Sequence, residues 1–353
     1  MNDRVMFLLS CVCMAQAGLQ GIFMHGGSCG VSQIFMPNQL QDAEVEIVEN
    51  ELKSFYHSAA TVFKGKVYIF GGSSVKNGGY PIADTQIFDP ITNLTAKGAP
   101  MQQARSMHTA TVYGQYIVIC GGMKANWENV PTCEAYDPYR DSWTYFQTNM
   151  TVPVHSHGAV VIRQPAPVAV DNQRIFDDVI VFFGGYDDQM NATNRVFSSK
   201  YDPLGDYFAE EAPMLNYRAD FSGVAVANHI LACGGWYHDP YTLESSCEVY
   251  DPATAVWSRY HNMQNARQYQ STVSWMYPDL VPFTDTFIVG GYSKFLDKAL
   301  DTVERYTSRG SHLMSVKLKK PCAGMIAVPV GSGETCATGG AVNFKKANRD
   351  DYW

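Results

Sequence analysis

The stretch ICGGMKANWENVPTCEAYDP, residues 119–138, joins an apolar run ending in Gly-Gly to a polar loop and a second short run ending in Tyr-Asp-Pro. Residues 232–252, ACGGWYHDPYTLESSCEVYDP, show the same order. A period of several tens of residues marks repeat architectures. Apolar runs ending in Gly-Gly recur mostly near every 50 residues, with their first glycines at Gly26, Gly71, Gly121, Gly184, Gly234, Gly290 and Gly339.

Each repeat is predicted to be four short β-strands with turn residues between them and no helix. The glycine pair allows a positive φ and a close approach of neighbouring backbone. Asp-Pro starts the turn into the fourth strand. Because one small sheet cannot bury both of its faces, the repeats must pack radially, and the pattern predicts a β-propeller.

The order Gly-Gly, Tyr-Asp-Pro and Trp resembles the kelch repeat, and the resemblance covers about residues 20–340. Departures from the pattern are Met36 in place of Asp in SQIFMPN and the missing Trp in the repeat before His57. The resemblance implies an all-β, kelch-type propeller. We expect six four-stranded blades, with the partial repeats at the two chain ends merged into one blade, because this closure leaves fewer unpaired edges. Seven blades are the alternative.

The chain ends also bear on domain organisation. VMFLLSCVCMA followed by Ala15-Gln16-Ala17 resembles a cleavable leader, so we predict a signal peptide at 1–17 and the propeller at 18–353. The alternative is that this segment forms an inner strand. Lys and Arg total 26 against 34 Asp and Glu, with no basic run, which argues against nucleic acid. No later apolar stretch approaches the roughly 20 residues of a membrane span.

Two cysteine pairs occupy matching positions in their repeats. In a propeller blade the end of the second strand lies beside the start of the third, so Cys120 should face Cys133 and Cys233 should face Cys247. We predict two disulfides, with reduced core cysteines as the alternative. A zinc site is not predicted, because its ligand spacings are shorter. Three further cysteines map to the closing blade with no pairing assigned: Cys29, Cys322 and Cys336.

Bridged cysteines predict secretion, with the cytoplasm as the alternative compartment. Glycosylation sequons begin at Asn93, Asn149 and Asn191 and fall in outer strands or loops. No catalytic or nucleotide-binding motif is present, and we predict no cofactor and no metal. His155 and His157, which alternation places on one strand face, are interpreted as hydrogen-bonded histidines rather than ligands.

A binding surface is predicted on the face that carries the loops between second and third strands. Aromatic residues in these loops include Trp127, Trp236 and Tyr237. The connections into the first strands carry Arg105, Arg218 and Arg267, which the kelch resemblance places around the central opening. Aromatic and Arg side chains favour interfaces, and such arginines would prefer a protein carboxylate or an acidic glycan. The alternative is that each Arg pairs with a carboxylate of the neighbouring blade.

The sequence thus predicts a secreted, non-catalytic kelch propeller that binds a protein or glycan through this face. An intracellular adaptor or actin-associated scaffold is a second hypothesis. A sugar-processing propeller enzyme, with Arg and Glu in the central opening, is a third. Fold alone does not decide among them.

Overall fold

The computed structural model describes residues 21–37, 43–74, 78–165, 176–202, 207–236, 243–276 and 284–331. Within these ranges the regular structure is 26 β-strands, β1 to β26, and one 3-10 helix at Gly27–Cys29. Six sheets have four strands each, and a small hairpin forms a separate two-stranded sheet. The prediction of an all-β propeller with six four-stranded blades is therefore confirmed.

Five blades use strands from one continuous part of the chain. Blade one consists of β4 (Ala59–Phe63), β5 (Lys66–Phe70), β6 (Thr85–Asp89) and β7 (Leu94–Gly98). Blade two consists of β8 (Thr109–Tyr113), β9 (Tyr116–Cys120), β10 (Cys133–Asp137) and β11 (Ser142–Tyr145). Blade three consists of β12 (Gly158–Pro165), β13 (Phe176–Phe183), β14 (Val196–Lys200) and β15 (Tyr207–Glu211).

Blades four and five follow the same plan. Blade four consists of β16 (Ser222–Val226), β17 (His229–Cys233), β18 (Cys247–Asp251) and β19 (Val256–Tyr260). Blade five consists of β20 (Ser271–Met276), β21 (Thr284–Val289), β24 (Thr302–Thr307) and β25 (Gly310–Lys317). The two-stranded hairpin lies in the loop between its second and third strands and consists of β22 (Tyr292–Ser293) and β23 (Lys298–Ala299).

Blade six closes the ring by combining distant parts of the chain. Its strands are β26 (Ile326–Val330), β1 (Gly21–His25), β2 (Ser32–Met36) and β3 (Glu44–Val48). The antiparallel register of β26 and β1 runs from Gly21 opposite Val330 to His25 opposite Ile326. This pairing joins β26, the inner strand of the last blade, to the three strands of the N-terminal part, so that neither β26 nor β1 is left without its neighbour in the sheet. The seventh glycine pair, which begins at Gly339, and the leader at 1–17 lie outside the described residues.

The first strand of each blade lines the central channel. Neighbouring first strands contact one another in a closed circle, from β4 through β8, β12, β16, β20 and β26 back to β4. Small side chains face the channel, among them Ala60, Ala110, Ala159, Gly223, Ser274 and Ala327. Bulkier side chains fill the boundaries between blades, where the sheets diverge. At the boundary of blades one and two, Phe70, Met101, Ile119 and Tyr136 form one such buried cluster.

The glycine pairs permit close packing of adjacent blades. Gly121 and Gly122 have φ values of 66° and 88°. A Cβ on Gly121 would lie 2.5 Å from the carbonyl oxygen of Val154, and one on Gly122 would lie 2.6 Å from that of Ser106. Gly122 N also donates to Val154 O at 2.9 Å. Only glycine combines this backbone conformation with so close an approach, as the sequence pattern predicted.

Candidate functional site

We call the loop face the end of the ring where second strands pass to third strands and fourth strands pass to the next blade. Four loops between second and third strands present a highly exposed apolar side chain. These side chains and their exposed fractions are Tyr80 (55%), Trp127 (76%), Met190 (58%) and Phe295 (96%). The predicted site residue Tyr237 falls in the corresponding loop of blade four, in residues outside the described ranges. The loop face therefore carries apolar anchors on blades one, two, three and five.

Two of these loops form the same tight turn. Trp127 N donates to Lys124 O at 3.0 Å, and Met190 N donates to Asp187 O at 3.0 Å. Trp127 and Met190 also share a left-handed backbone, with φ values of 66° and 61°. The matching turn holds the fourth residue at its tip, where the side chain points away from the blade and into solvent.

Trp236 has a different environment from Trp127. It is half-buried, and its backbone forms β-bridges to Ala219 and Leu243. The ammonium of Lys294, from the loop of blade five, lies 5.1 Å from the centre of the indole ring. This cation–π contact joins the loops of blades four and five. Trp236 thus supports the loop face at the base of its loop rather than at the tip.

The two predicted hairpin disulfides are present. Cys120 pairs with Cys133 and Cys233 with Cys247, in each case across the second and third strands at a Cα–Cα distance of 4.2 Å. All four cysteines are buried. Each bridge holds the base of the loop above it, so the loop that carries Trp127 leaves the blade from a covalently closed hairpin.

A third disulfide closes the ring. Cys29 follows β1, and Cys322 precedes β26, and the two are bridged with a Cα–Cα distance of 4.9 Å and a sequence separation of 293. The pairing left open by the sequence is therefore Cys29 with Cys322. Cys336 lies outside the described residues. The bridge covalently joins the two distant parts of the chain that form blade six.

The three predicted site arginines are fully buried in ion pairs. Each side chain and its glutamate partner are 0% exposed: Arg105 with Glu134, Arg218 with Glu248 and Arg267 with Glu304. The distances are 2.5 Å for the first pair and 2.7 Å for the second. Burial lowers the pKa of Arg105 and Arg267, and the neighbouring glutamate opposes this shift. These placements do not support the predicted exposure of the arginines on the loop face. They match the alternative in which each Arg pairs with a carboxylate, which here belongs to the blade that the Arg enters.

Each arginine also binds the glycine pair of the blade that it enters. Arg105 Nη1 donates to Gly121 O at 3.0 Å, and Arg218 Nη1 donates to Gly234 O at 2.8 Å. The guanidinium therefore connects the incoming main chain, the end of the second strand and the glutamate of the third strand. Such a charged pair is fully hydrogen-bonded, which is the condition for keeping charge in a protein interior.

The sequence indicates the Arg–Glu pairing when the repeats are aligned with one another. Glutamate occupies the third-strand position only in the three blades whose entry carries arginine. The other entries have Phe55, Val154 and Cys322, and the matching third-strand residues are Gln86, Phe197 and Gln33. Arg and Glu thus vary together within this one chain, as contacting residues do.

A partial ring of five backbone hydrogen bonds lies around the channel mouth on the loop face. One residue from the entry of each blade takes part, and all six have φ values between 53° and 67°. The donor–acceptor distances are 2.9 to 3.2 Å. The bonds run Met107 N to His57 O, Ser156 N to Met107 O, Asp220 N to Ser156 O, Tyr269 N to Asp220 O and Gly324 N to Tyr269 O. The ring fixes the position of the side chain that each blade contributes to the mouth.

Asp220 is the acidic member of this ring. Its side chain is 7% exposed, and its carboxylate accepts hydrogen bonds from the hydroxyl groups of Ser156, Tyr186 and Tyr269. Burial raises the pKa of Asp220 to about 6, although the three hydroxyl donors act in the opposite direction. Sequence reasoning missed this residue, because the ring positions hold a different residue type in every blade.

The histidines near the mouth are neutral hydrogen-bonding groups. His155 Nδ1 lies 2.7 Å from Asn129 Oδ1, and His157 Nε2 lies 3.2 Å from Thr109 Oγ1. Burial lowers the pKa of His155 to about 4 and that of His157 to about 3. Across the described ranges, no cluster of three or more His, Cys, Asp or Glu residues could hold a metal ion.

The architecture defines the class of protein as a six-bladed β-propeller closed by strands from both ends of its chain. A family model for the kelch motif matches residues 54–102, 104–150 and 217–264. These matches cover blades one, two and four together with their entries. The chain therefore contains kelch motifs and folds as a six-bladed β-propeller.

Two relatives found by sequence are similar to this chain over part of their own length. Beta-scruin of Limulus polyphemus is 24% identical over 300 residues, which are 80% of this chain and 30% of that protein. Kelch-like protein 38 of Rattus norvegicus is 24% identical over 250 residues, which are 58% of this chain and 40% of that protein. The chain thus spans less than half the length of these relatives.

A solved structure has the same fold. The structure of YjhT matches with a TM-score of 0.65 and 13% identity, over 84% of this chain and 95% of that chain. At this identity the match shows the architecture alone. Among the described residues, no helix has the length and apolar character needed to cross a membrane.

Proposed function

We propose that this kelch propeller is a secreted, non-catalytic protein-binding module that recognises its partner through the loop face. The observation that carries the proposal is Trp127, which is 76% exposed at the tip of a loop whose base is closed by a buried disulfide. Exposed aromatic anchors dominate the energetics of protein interfaces. A loop that is already ordered loses less conformational entropy on binding.

The spread of the apolar anchors favours a protein over a small ligand. Tyr80, Trp127, Met190 and Phe295 stand on four different blades around the ring. A partner that contacts several of them must extend across the face, as a folded domain or a long peptide does. An acidic glycan was predicted from the arginines, and these are already neutralised by buried glutamates.

A matched pair of variants tests this proposal. Partners cross-linked to the wild-type chain are identified, and the affinity of one purified partner is measured. We expect Trp127→Ala to weaken binding by about 30-fold, since a hot spot contributes roughly 2 kcal/mol or more. Tyr139→Ala is the control, because Tyr139 is a similarly exposed aromatic, 67%, in a third-to-fourth-strand turn on the opposite face. Equal affinity losses for both variants, or no loss for Trp127→Ala, would contradict the proposal.

The secretory compartment is supported by the disulfides. Three bridges, all between buried or half-buried cysteines, persist most readily in an oxidising environment. Mass spectrometry of the native chain without reduction should find these pairs linked and the N-terminus cleaved. Free thiols at Cys120 and Cys133 together with an intact Met1 would instead favour the intracellular adaptor or scaffold.

Glycosylation forms part of the same proposal. Asn93, Asn149 and Asn191 are all exposed and lie in turns or loops that can accommodate a glycan. Asn93 Nδ2 donates to Glu49 O at 2.9 Å, so this acceptor is oriented before modification. Treatment with peptide N-glycosidase should lower the mass of the secreted chain. An unchanged mass after this treatment would show that the sequons are unused.

A further inference from the structure

The channel mouth on the loop face contains a small polar cavity, which is separate from the apolar side chains at the loop tips. Its volume is about 150 Å³. Two consecutive residues from the entry of each blade line it, and among them are His57, Ser156, Asp220 and Gln270. Sites for drug-sized ligands measure roughly 300–1,000 Å³. The cavity therefore fits the head group of one side chain rather than a whole metabolite.

Two buried side chains that line this cavity each have an acceptor with capacity for a further donor. The Asp220 carboxylate receives three hydroxyl donors, while a carboxylate offers about four lone-pair positions. Gln270 is 5% exposed, and its Oε1 has no hydrogen-bond partner among the described residues. Its Nε2 donates to Cys233 O at 2.8 Å, so the orientation of the amide is defined. A buried acceptor without a donor costs free energy, which a ligand N–H would recover.

Among the described residues, the cavity has no cation to balance Asp220. None of the residues that line it is Lys or Arg. The closest arginine in sequence, Arg218, is already bound to Glu248. Burial lowers the pKa of the lining histidines, His57, His108 and His157, so they are uncharged at neutral pH. The mouth is therefore a net acceptor and a net negative site, on a chain whose formal net charge is -8.

We propose that the channel mouth binds a cationic side chain of the partner, a lysine ammonium or an arginine guanidinium, with Asp220 as counter-ion and Gln270 Oε1 as second acceptor. This inference rests on the proposed function, because it names the chemistry at the centre of the face that the loop tips surround. The sequence predicted an acidic ligand for this face, whereas the proposed ligand is a cation. The arginines are buried in ion pairs with glutamates and cannot contact a ligand. The Asp220 carboxylate is the charged group at the mouth.

Binding of capped amino acids to the purified full chain tests the pocket without the partner. The probes are N-acetyl-arginine amide, N-acetyl-lysine amide and N-acetyl-citrulline amide, which is a neutral analogue of the first. Titration by NMR or calorimetry should show binding of the two cations and at least tenfold weaker binding of citrulline. Asp220→Asn should weaken cation binding at least tenfold. Glu128→Gln, which removes an exposed carboxylate from the same face, should leave it unchanged.

Since Asp220→Asn alters a buried network, Gln270→Met is measured beside it and should weaken arginine binding several-fold in a chain with unchanged melting temperature. Equal binding of arginine and citrulline probes, or wild-type affinity in both pocket variants, would overturn the inference. Tighter binding of uncapped arginine than of the capped probe would assign the pocket to a free amine and contradict a partner side chain. Trp127→Ala should retain probe binding, so failure of the pocket and failure of the loop-face proposal are distinguishable.

Discussion

Arg218 and Glu248 form a buried ion pair between the entry of blade four and the third strand of that blade, with 2.7 Å between Nε and Oε1 and neither side chain exposed. Removing one partner leaves the other charge in the interior. We expect Arg218→Met to lower the free energy of unfolding by about 3–5 kcal/mol. Urea unfolding followed by circular dichroism measures this change.

The control for this prediction is an exposed pair of the same chemistry. Arg195 binds Glu210 with side chains that are 39% and 60% exposed, so Arg195→Met should cost less than about 1 kcal/mol. The double variant Arg218→Met with Glu248→Met should recover part of the loss, because no charge is left unpaired. Normal stability of Arg218→Met together with lost partner binding would instead support the ligand role predicted from the sequence.

The sequence repeat made the fold predictable. The environment of the arginine side chains was not predicted. Gly-Gly, the loop and Tyr-Asp-Pro recur in register, so the hairpin that places Cys120 opposite Cys133 follows from local pattern alone. Arg105 was correctly located at a blade entry, but its burial depends on Glu134 on the third strand of the blade that it enters. The two residues are separated by 29 positions, and the link between them shows only when several repeats are compared.

The channel mouth was not predictable for a different reason. Its ring positions share a backbone conformation, with φ near 55° in most blades, rather than a residue type. His57, Ser156, Asp220 and Tyr269 therefore show no repeated motif. The exposure of Met190 and Phe295 at the loop tips was not predictable either, because it depends on how each loop leaves its blade.

The ring-closing disulfide should stabilise the propeller more than a hairpin disulfide. In the chain-entropy account, closing a loop of 13 residues between Cys120 and Cys133 contributes about 3 kcal/mol. Closing 293 residues between Cys29 and Cys322 contributes about 6 kcal/mol. Cys322→Ala should therefore lower the melting temperature more than Cys133→Ala under oxidising conditions.

Reduction provides the control for the disulfide prediction. With a reductant present, both alanine variants and the wild-type chain should melt within a narrow range, since no bridge remains in any of them. A larger effect of Cys133→Ala in the oxidised state would show that local packing at the hairpin outweighs ring closure.

Alanine substitutions at two glycines of blade two distinguish the cost of backbone strain from the cost of steric contact. Gly121 and Gly114 have similar φ values, 66° and 60°. A Cβ on Gly114 has no neighbour within 4 Å, whereas one on Gly121 would lie 2.5 Å from Val154 O. Gly114→Ala should cost about 1–2 kcal/mol of unfolding free energy from the left-handed backbone alone. Gly121→Ala should cost clearly more in the same urea experiment, and equal costs would contradict close packing of the blades at this pair.

Asp220 should make the stability of the propeller depend on pH. Burial raises its pKa from the ordinary 3.8 to about 6, so the folded state holds the proton more tightly than the unfolded chain. Ionisation therefore destabilises the folded state as pH rises through this window. At about 1.4 kcal/mol per pH unit, the cost at pH 7 is roughly 3 kcal/mol.

The variant Asp220→Asn cannot ionise and so escapes this cost. Its unfolding free energy, relative to the wild type, should increase as pH rises from about 4 to 7 and should change little above that range. The groups that face the carboxylate, Ser156, Tyr186 and Tyr269, do not titrate in this window, because burial raises the pKa of both tyrosines. The neighbouring His57 and His155 have lowered pKa values, so a parallel His57→Gln series identifies any contribution of the histidines. A stability difference independent of pH would show that the Asp220 carboxyl titrates near its ordinary value, and the mouth would then carry a solvated carboxylate rather than a buried one.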